Sequence, residues 1–517
     1  MSVPMPRWLE RLIRGAVDFL CVQMAGVLAL AFAGSYVSQS QIAEGELAHY
    51  YLHTFLPLSF VFPLVYSLAG LYTKLRGYEL RYKLRRAALS ASIATLLLVF
   101  VSFLASRAQL PRSAALFFAL MVVGAAVGVR WLKDWLFHSE ASFISAAVAV
   151  AAPAPQPNDT VLVVGGAGYI GSIVVAKLLQ RGYRVRLLDS LVYGDQSIAS
   201  LLNHPKLEFI SGDCRNIQDV VGAMNNATSV IHLAAIVGDP ACAEDNENAY
   251  QINYAATRML VEIAKGNGIR RFIFASSCSV YGASENLMDE KSETLPISLY
   301  AETKLQSEKV LLEAASRDFH PTILRFATVF GLAPRPRFDL VVNLLTAKAI
   351  QDGVITIFNG SQWRPFVHVQ DIAEAVVQTL AAPVESVSGE IFNVGDDRLN
   401  FTLAEVAEKI RAQIPLTQIE YVENSDRRNY RVSFQKIRNC IGFTAQHTVE
   451  SGIAEIRRAF ERGEIRDYRR PFYSNVSFLK ERGRVHPKND LDVKVMAAFS
   501  GGDSYEVLKA RAASSSN

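Results

Sequence analysis

The chain has few cysteines and histidines and little net charge for its 517 residues. The five cysteines are scattered without a CxxC pair, which argues against a disulfide framework and against a zinc ribbon. The nine histidines show no HExxH or comparable spacing, so no metal site is predicted. A formal net charge of +4 is too small for a protein that binds nucleic acid through its overall charge, and no nucleic-acid partner is expected.

Apolar residues are abundant, and their excess lies in the first quarter of the chain. Hydrophobic residues make up 50% and charged residues 20% of the sequence, which is more apolar than is usual for a soluble enzyme. A helix needs about 20 apolar residues to cross the hydrocarbon core of a bilayer. We therefore predict an all-α membrane domain over residues 1–138, with four transmembrane helices at about 16–37, 51–72, 87–105 and 114–132.

A soluble domain or a signal peptide accounts less well for these apolar runs. A buried all-helical soluble domain is disfavoured because soluble helices rarely stay apolar on every side. A signal peptide is disfavoured because three further runs follow the first one and no convincing cleavage site is present.

Basic residues are distributed unevenly between the predicted loops. They precede the first span, fill the loop between the second and third, and follow the fourth, whereas the loop between the first and second has none. By the positive-inside rule we predict a multi-pass protein of the cytoplasmic membrane whose C-terminal domain lies in the cytoplasm. Asp18 is expected at the cytoplasmic mouth of the first span, and no charge pair is expected inside the membrane.

The remaining sequence divides into a linker, an α/β domain and a tail. Residues 139–158 are rich in Ala and Pro, which predicts an extended spacer. Over residues 159–470 short β-branched runs alternate with amphipathic helical segments, and this alternation predicts a doubly wound parallel sheet. No fold is predicted for residues 471–517.

A strand, a glycine-rich turn and a helix open the α/β domain. Gly165, Gly168 and Gly171 follow the apolar run Val161–Val164. Glycines at this spacing allow a tight turn, a close approach of backbone to pyrophosphate, and phosphate binding at the helix N-terminus. Asp189 ends the next predicted strand, where a carboxylate bonds the ribose hydroxyls and repels a 2′-phosphate. The pattern predicts that NAD, and not NADP, is the cofactor.

A YxxxK motif supplies the candidate acid/base. Tyr300 and Lys304 lie one turn apart on a predicted helix and share a face. Because a cation beside a phenol favours the phenolate, we expect Lys304 to lower the pKa of Tyr300. Ser277 follows a predicted strand in SSCSVYG and is preferred over Ser276 and Ser279 as a second hydroxyl at the same substrate oxygen.

Five motifs occur in an order that resembles one enzyme family. GGAGYIG, IHLAA, SSCSVYG, YAETK and RPFVHVQD resemble the extended short-chain dehydrogenase/reductase family, in its nucleotide-sugar epimerase/dehydratase branch. The resemblance implies a Rossmann domain with a smaller C-terminal substrate domain, and bound NAD that oxidises a sugar hydroxyl, usually at C4. It implies that Tyr300 takes the hydroxyl proton, that Lys304 bonds the nicotinamide ribose, and that Ser277 orients the substrate.

The resemblance extends to further site residues and to partners. It implies that residues around the cofactor include Tyr169, Ile170, Asp213, Ala234 and Ala235. It implies that a nucleotide-diphosphate sugar is bound by residues that include Asn253, Thr328, Arg364 and Arg428, the two arginines at the diphosphate. Relatives often form homodimers through a helix bundle that includes the YxxxK helix, so a homodimer is expected.

Two departures from the family pattern bear on the reaction. Sugar dehydratases and decarboxylases carry an acid just after the active Ser or Thr, where this chain has Cys278 and Ser279. This difference favours a 4-epimerase. The four spans resemble those of membrane-bound polysaccharide-biosynthesis dehydratases, but those enzymes usually have Met at the position of Tyr300.

The leading hypothesis is a membrane-anchored, NAD-dependent nucleotide-sugar 4-epimerase that supplies cell-envelope polysaccharide synthesis. Three alternatives stay open. The first is a 4,6-dehydratase or a 4-ketoreductase, and the second is an epimerase of a polyprenyl-linked sugar. The third is a non-catalytic NAD-binding scaffold for a glycosyltransferase complex.

Overall fold

The chain divides into two compact units, Met1–Ala147 and Val148–Asn517. The computed structural model describes residues 7–36, 51–69, 80–105, 115–132, 156, 159–424, 428–482 and 490–500. The predicted linker 139–158 lies outside the described residues except at Gln156.

The described part of the first unit is helical at each of the four predicted apolar segments. Its helices are α1 (Arg7–Tyr36), α2 (Leu56–Leu58), α3 (Val61–Leu68), α4 (Leu80–Ala105) and α5 (Ala115–Leu132), with a π-helical turn at Tyr51–Phe55 before α2. Among the described residues, the helical stretches Tyr51–Leu68 and Ala115–Leu132 are long and apolar enough to cross a membrane. The apolar parts of α1 and α4 are shorter, so four spans stay a prediction.

The helices of the first unit bury alanines together with aromatic rings, among them Phe62 and Phe118, and expose other large apolar side chains. Ala91 and Ala94 of α4 are buried, and a Cβ on Gly26 would lie 2.3 Å from the Phe55 ring. Large apolar side chains on the outer faces are exposed, among them Leu20, Leu64, Leu96 and Leu120. An apolar exterior, with small residues where helices approach closely, is typical of helices that pack in lipid.

An ion pair joins the first and last helices of this unit. The Arg130 guanidinium donates to both carboxylate oxygens of Asp18 at 3.2 and 3.0 Å, and it lies 5.3 Å from the centre of the Tyr66 ring. The side chain of Asp18 is buried. The sequence did not predict a partner for Asp18, because Arg130 is 112 residues away and meets it only through helix packing.

A seven-stranded parallel sheet forms the centre of the second unit. Its strand order is β11-β7-β5-β4-β1-β2-β3, and each neighbouring pair is parallel. These strands are β1 (Thr160–Val164), β2 (Arg184–Asp189), β3 (Leu207–Ser211), β4 (Ser229–His232), β5 (Arg271–Ser277), β7 (His320–Phe326) and β11 (Ile391–Val394). The continuous apolar runs of the sequence become strands buried on both faces, as parallel strands covered by helices must be. The predicted Rossmann-type fold is confirmed.

Smaller sheets complete the second unit. The strands β8 (Thr328–Phe330), β10 (Trp363–His368) and β12 (Asn400–Thr402) form one sheet. The strands β9 (Val354–Phe358) and β13 (Gln418–Val422) pair with each other, as do β6 (Ala283–Met288) and β14 (Asn429–Val432). Most of these strands come late in the chain, which agrees with the smaller C-terminal part expected from the sequence.

Helices cover the sheets of this unit. They are α6 (Gly171–Gln180), α7 (Ile217–Met224), α8 (Asp239–Glu244), α9 (Asn246–Tyr250), α10 (Ala256–Gly266), α11 (Leu299–Ala314), α12 (Val341–Gln351), α13 (Val369–Ala381), α14 (Val384–Val387), α15 (Leu403–Gln413), α16 (Gln435–Ile441), α17 (Val449–Glu461), α18 (Asn475–Arg482) and α19 (Asp490–Ser500). A π-helical turn at Gln251–Ala255 precedes α10, and 3₁₀ turns lie at Cys278–Tyr281, Asp397–Leu399 and Pro471–Tyr473.

The described part of the tail is folded, so a domain boundary at Arg470 is too early. Phe478 of α18 and Met496 of α19 are buried. Met496 joins the apolar cluster beneath the sheet, and the Tyr250 hydroxyl donates to the Ser500 carbonyl at 2.9 Å. The mixed composition of residues 471–517 concealed this packing, because only a few apolar positions in each short helix make contact.

A buried ion pair ties the YxxxK helix to the sheet. Arg325 of β7 donates to both oxygens of Glu308 of α11, at 3.0 and 2.7 Å, and the Ser276 hydroxyl also donates to this carboxylate. Both charged side chains are almost fully buried. The removal of one partner leaves the other charge without compensation in the core.

The change Glu308→Ala is therefore expected to lower the free energy of unfolding by about 3–5 kcal/mol. Glu408→Ala is the matched control, because Glu408 pairs with Arg411 on the exposed face of α15, and it should change stability by at most about 0.5 kcal/mol. Chemical denaturation of the detergent-solubilised full chain measures both values. Equal effects of the two substitutions would contradict the role given to the buried pair.

Candidate active site

A cavity lies at the carboxyl edge of the parallel sheet, where strands β1, β2, β4 and β5 end. Parallel strands bring loops from distant parts of the sequence together at this edge. The predicted residues that line it are Gly165, Gly168, Tyr169, Ile170, Gly171, Asp189, Asp213, Ala234, Ala235, Ser277, Tyr300, Lys304, Thr328 and Arg428. Asn253 and Arg364 are not part of its lining.

The glycine turn after β1 leaves no room for side chains. Gly165 has a φ of +85°, and a Cβ there would lie 2.5 Å from the Ala234 nitrogen. A Cβ on Gly171 would lie 2.3 Å from the Gly165 carbonyl oxygen. The backbone of the turn therefore lies open to the cavity at the start of α6, which fits a dinucleotide pyrophosphate at a helix N-terminus.

Asp189 is held in place by backbone donors. Its carboxylate accepts hydrogen bonds from the nitrogens of Ala167 and Leu191 at 2.9 and 2.8 Å. Burial raises the pKa of this carboxyl above its usual value, and the two backbone hydrogen bonds offset only part of that rise. The arrangement fixes an acceptor beside the glycine turn, at the position where a dinucleotide presents its ribose hydroxyls.

Two other residues predicted to surround the cofactor, Asp213 and Tyr169, make hydrogen bonds within the protein. The Asp213 carboxylate forms a buried pair with Arg215, with Nη2 to Oδ2 at 2.7 Å. The Tyr169 hydroxyl donates to the Gly331 carbonyl at 2.6 Å. Both residues therefore shape the wall of the cavity, and Tyr169 also links the glycine loop to the end of β8.

Ser277, Tyr300 and Lys304 converge at one end of the cavity. Ser277 is the last residue of β5, and its hydroxyl accepts from the Ser279 nitrogen at 3.1 Å. Tyr300, near the start of α11, lines the same cavity, and the Ser277 hydroxyl lies close enough to lower the pKa of its phenol. The Lys304 ammonium donates to the Ala275 carbonyl at 2.8 Å and lies 5.8 Å from the centre of the Tyr300 ring. The Ser276 hydroxyl instead donates to Glu308, so Ser277 is the serine next to Tyr300.

The expectation that Lys304 lowers the pKa of Tyr300 is wrong for the chain without its cofactor. Burial of the phenol, followed by the nearby Cys242 and Asp239, raises the pKa of Tyr300. Arg337 and the Ser277 hydroxyl lower it by less. Lys304 does not lower it because desolvation brings its own pKa to about 8, so the ammonium loses its charge before the phenol titrates.

Asn253 and Arg364, which were predicted to bind the substrate, hydrogen-bond the protein's own backbone. The Asn253 amide accepts from the Ile236 nitrogen at 2.8 Å and donates to the Ile236 carbonyl at 3.0 Å, so it holds the loop after β4. The buried Arg364 donates to the backbone carbonyls of Trp363 and Arg428. Neither residue lines the cavity, but each holds the backbone of a residue that does, Ile236 in one case and Arg428 in the other.

Cys278 and Ser279 take different directions after β5. The Cys278 thiol is buried and donates to the Arg325 carbonyl at 3.3 Å. Ser279 lines the cavity, and its buried hydroxyl has no hydrogen-bond partner among the described residues. Ser279 is therefore a candidate polar contact, although the sequence favoured Ser277 over it.

Several other lining residues were not found from the sequence. They include Tyr193, Asp239, Arg335, Arg337 and Asn475. The two arginines stand in the segment PRPR shortly after β8, and that cluster of cations was an available signal. Asp239 pairs with Arg428 at 2.8 Å, and Asn475 comes from the tail. Nothing local in the sequence marks either contact.

Burial of Lys304 gives stability a specific pH dependence. In the unfolded chain this lysine keeps its proton to about pH 10.5, whereas the folded chain releases it above about pH 8. Between these values the unfolded state binds more protons, so the free energy of unfolding rises with pH. The free energy of unfolding of the wild type, minus that of Lys304→Met, should therefore increase by up to about 3 kcal/mol across this pH window.

Urea titrations of the NAD-free full chain at several pH values measure this difference. The buried thiols of Cys214 and Cys278, whose pKa values burial raises, titrate in the opposite sense but cancel between the two proteins. The thiol of Cys242 also has a raised pKa, and because Lys304 lowers that pKa, the loss of Lys304 raises it further. A difference that stays flat from pH 8 to 10 would contradict a desolvated Lys304.

Comparison with known sequences agrees with this geometry. The model of the NAD dependent epimerase/dehydratase family matches residues 161–395. UDP-glucose 4-epimerase of Bacillus subtilis (strain 168) is 30% identical over 264 residues, which cover 46% of this chain and 76% of that protein. UDP-N-acetyl-alpha-D-glucosaminuronate decarboxylase of Bacillus cytotoxicus is 29% identical over 288 residues, which cover 54% of this chain and 87% of that protein.

Comparison with solved structures gives the same result. MoeE5 in complex with UDP-glucose and NAD matches with a TM-score of 0.53 and 28% identity, over 59% of this chain and 100% of that chain. A second complex of MoeE5 contains UDP-glucuronic acid and NAD. The prediction of NAD as cofactor is confirmed. The chain therefore belongs to the NAD-dependent epimerase/dehydratase family, an extended short-chain dehydrogenase/reductase type of enzyme with NAD as its cofactor.

Proposed function

We propose that this enzyme is a nucleotide-sugar 4-epimerase. The observation that carries the proposal is that Ser277, Tyr300 and Lys304 line one cavity, and that Cys278 and Ser279 follow Ser277 in place of the acid of the dehydratases. The described carboxylates that line the cavity are Asp189, Asp213 and Asp239, and the last two are paired with arginines. The Bacillus subtilis relative, a UDP-glucose 4-epimerase, supports the same reaction.

The proposed reaction oxidises and then reduces one carbon of the sugar. Bound NAD supplies reversible acceptance of the hydride from C4, so no net oxidation occurs. Tyr300 accepts the proton of the C4 hydroxyl as the ketone forms and returns it when the other face of the ketone is reduced. The Ser277 hydroxyl, which lines the same cavity as Tyr300, is assigned to orient the same oxygen.

Lys304 acts in this scheme through charge and position. Its ammonium is anchored by the Ala275 carbonyl and faces the ring of Phe274 at 4.8 Å from the centre. With NAD bound, Lys304 would bond the nicotinamide ribose, and its positive charge beside Tyr300 would favour the phenolate. The raised pKa of Tyr300 in the chain alone keeps the phenol protonated until then.

The diphosphate of the substrate is assigned to the end of the cavity that Arg428 lines. Arg428 pairs with Asp239, and Arg364 holds the Arg428 backbone. A diphosphate would compete with Asp239 for the Arg428 guanidinium, which suits bidentate contacts with phosphate oxygens. Thr328 lines the cavity and is assigned to the sugar.

We further propose that the first unit anchors the enzyme in the cytoplasmic membrane through four spans. The support is the apolar outer surface of its described helices together with the basic residues that flank the predicted spans. A membrane location fits a role in cell-envelope polysaccharide synthesis, next to glycosyltransferases. We propose in the same way that the enzyme forms a homodimer, and epimerisation of a polyprenyl-linked sugar is the alternative reaction that this anchor would suit.

The change Tyr300→Phe should abolish epimerisation and leave the binding of NAD intact, because it removes only the hydroxyl that carries the proton. The assay is proton NMR of UDP-glucose or UDP-glucuronate with the full chain, NAD and no added reductant. We expect the C4 epimer from wild type, no net NADH, and a loss of roughly 10²–10⁴-fold in rate for the variant. Tyr421→Phe, at an exposed tyrosine, is the matched control.

Different products in this assay would identify the alternative reactions. A 4-keto-6-deoxy sugar would show a dehydratase despite the absent acid, and a product formed only with added NADH or NADPH would show a ketoreductase. Full complementation of a deletion strain by Tyr300→Phe would favour the non-catalytic scaffold.

Membrane anchoring has its own test. Because the outer faces of the described N-terminal helices are apolar, the full chain should stay in the membrane pellet after extraction at alkaline pH. Release into the supernatant would contradict the anchor. A soluble cytoplasmic protein expressed in the same cells is the control for complete extraction.

A further inference from the structure

The segment Pro471–Arg482, which we call the C-terminal strap, lies against the substrate end of the cavity. It is outside residues 161–395, which the family model matches. The Phe338 nitrogen donates to the Tyr473 carbonyl at 2.7 Å, and the rings of Phe338 and Tyr473 meet edge to face at 5.4 Å. Asn475 and Leu479 of the strap line the cavity itself.

Asn475 connects the strap to two arginines of the cavity. Its side-chain oxygen accepts from Nη2 of Arg335 at 2.9 Å. Its backbone nitrogen donates to Oδ2 of Asp339 at 3.0 Å, and that carboxylate pairs with Arg337 at 2.9 Å. One residue of the strap therefore sets the position of both guanidinium groups, one directly and one through Asp339.

Arg335 is a buried cation without a carboxylate partner among the described residues. Its side chain is 2% exposed, its guanidinium carbon lies 3.8 Å from the centre of the Tyr193 ring, and its buried Nε has no hydrogen-bond partner in the described part of the chain. Desolvation lowers its pKa to about 10. A buried charge is costly unless it is paired, so a guanidinium that lines a cavity in this state indicates an anionic ligand.

We propose that the C-terminal strap is part of the substrate site, and that Asn475 is a positioning residue that holds Arg335 and Arg337 to bind an oxyanion of the substrate. This inference rests on the proposed function, because it takes the ligand to be a nucleotide sugar. Such a ligand offers an oxyanion in two places, a carboxylate on the sugar or the diphosphate. Arginine binds either group in the same bidentate manner.

The contacts of the strap place this oxyanion site near Tyr300, at the end of the cavity where the sugar would react. Val476 and Leu479 pack in the same apolar cluster as Tyr300. The charge of Arg337 also acts on the Tyr300 phenol, whose pKa it lowers. A substrate held by Arg335 and Arg337 would therefore have its anionic group and its reacting carbon in one compartment, closed on one side by the strap.

The test compares Asn475→Ala and Asn475→Asp in the full chain with NAD bound. Calorimetric titration with UDP-glucose and with UDP-glucuronate measures Kd, and the NMR assay measures kcat and KM. Loss of a hydrogen bond to a charged group should raise Kd and KM roughly tenfold for Asn475→Ala. Asn475→Asp keeps the acceptor but adds a charge that neutralises Arg335, so it should weaken binding at least as much.

Two readouts separate a positioning role from a structural one. The affinity for NAD should change by less than roughly twofold in both variants, since neither changes the glycine turn, and kcat should change less than KM because Ser277, Tyr300 and Lys304 are all kept. Ser477→Ala, at an exposed position of the same helix, is the matched control and should behave as wild type. If Asn475→Ala fails to fold, Asn475→Asp still decides the question because it keeps the hydrogen bond to Arg335.

The two sugars identify the source of the oxyanion. A weakened Kd for UDP-glucuronate alone assigns the site to the sugar carboxylate, and equal losses for both sugars assign it to the diphosphate. Wild-type affinity in Asn475→Asp, or binding of neither sugar by the wild-type chain, would overturn the inference. Binding without turnover would instead refute the epimerase proposal, and the Kd values would still test the strap.

Discussion

The docking of helix α11 against strands β5 and β7 is the constraint on which the active site depends. Three buried polar contacts hold it: Lys304 to the Ala275 carbonyl, Ser307 to the Asn253 carbonyl, and Glu308 to Arg325. Each satisfies a group that would otherwise be costly to bury. Because they follow one another along a single helix face, they set both its rotation and its distance from the sheet, and so place Tyr300 beside Ser277.

The cofactor end of the cavity depends on close backbone packing. The turn at Gly165 lies against Ala234, and Gly171 lies against the Gly165 carbonyl, at distances that admit no Cβ. Asn253 holds the loop after β4 through both polar groups of its amide. The same π-helical turn that carries Asn253 also accepts the hydroxyl of Ser307 from α11. The π-helical turn at Gln251–Ala255 thus holds both the loop after β4 and the YxxxK helix α11 in place.

The substrate end is built from charged groups that the sheet does not organise. Arg335 and Arg337 approach the cavity from the segment after β8, and Arg428 approaches from the segment before β14. Their partners are Asn475, Asp339 and Asp239 respectively. The proposed catalytic residues are therefore held by buried contacts within the Rossmann part. The groups proposed to bind the substrate come from later segments of the chain.

The cofactor turn, the Rossmann-type sheet and the trio of Ser277, Tyr300 and Lys304 were all predictable from the order of the amino acids. Those features are local, because a glycine spacing, a strand pattern or a YxxxK motif requires only neighbours along the chain. The four apolar segments were equally visible, and all of them contain helix in the described residues.

Features that depend on contacts between distant residues became visible only in the folded chain. Arg335 and Asn475 are 140 positions apart, and Arg130 and Asp18 are 112 apart. No local pattern marks either pair. The raised pKa of Tyr300 likewise follows from burial, which a motif does not report. Asn253 and Arg364 match a family pattern from which substrate contacts were expected. Their hydrogen bonds to the protein's own backbone became visible only in the folded chain.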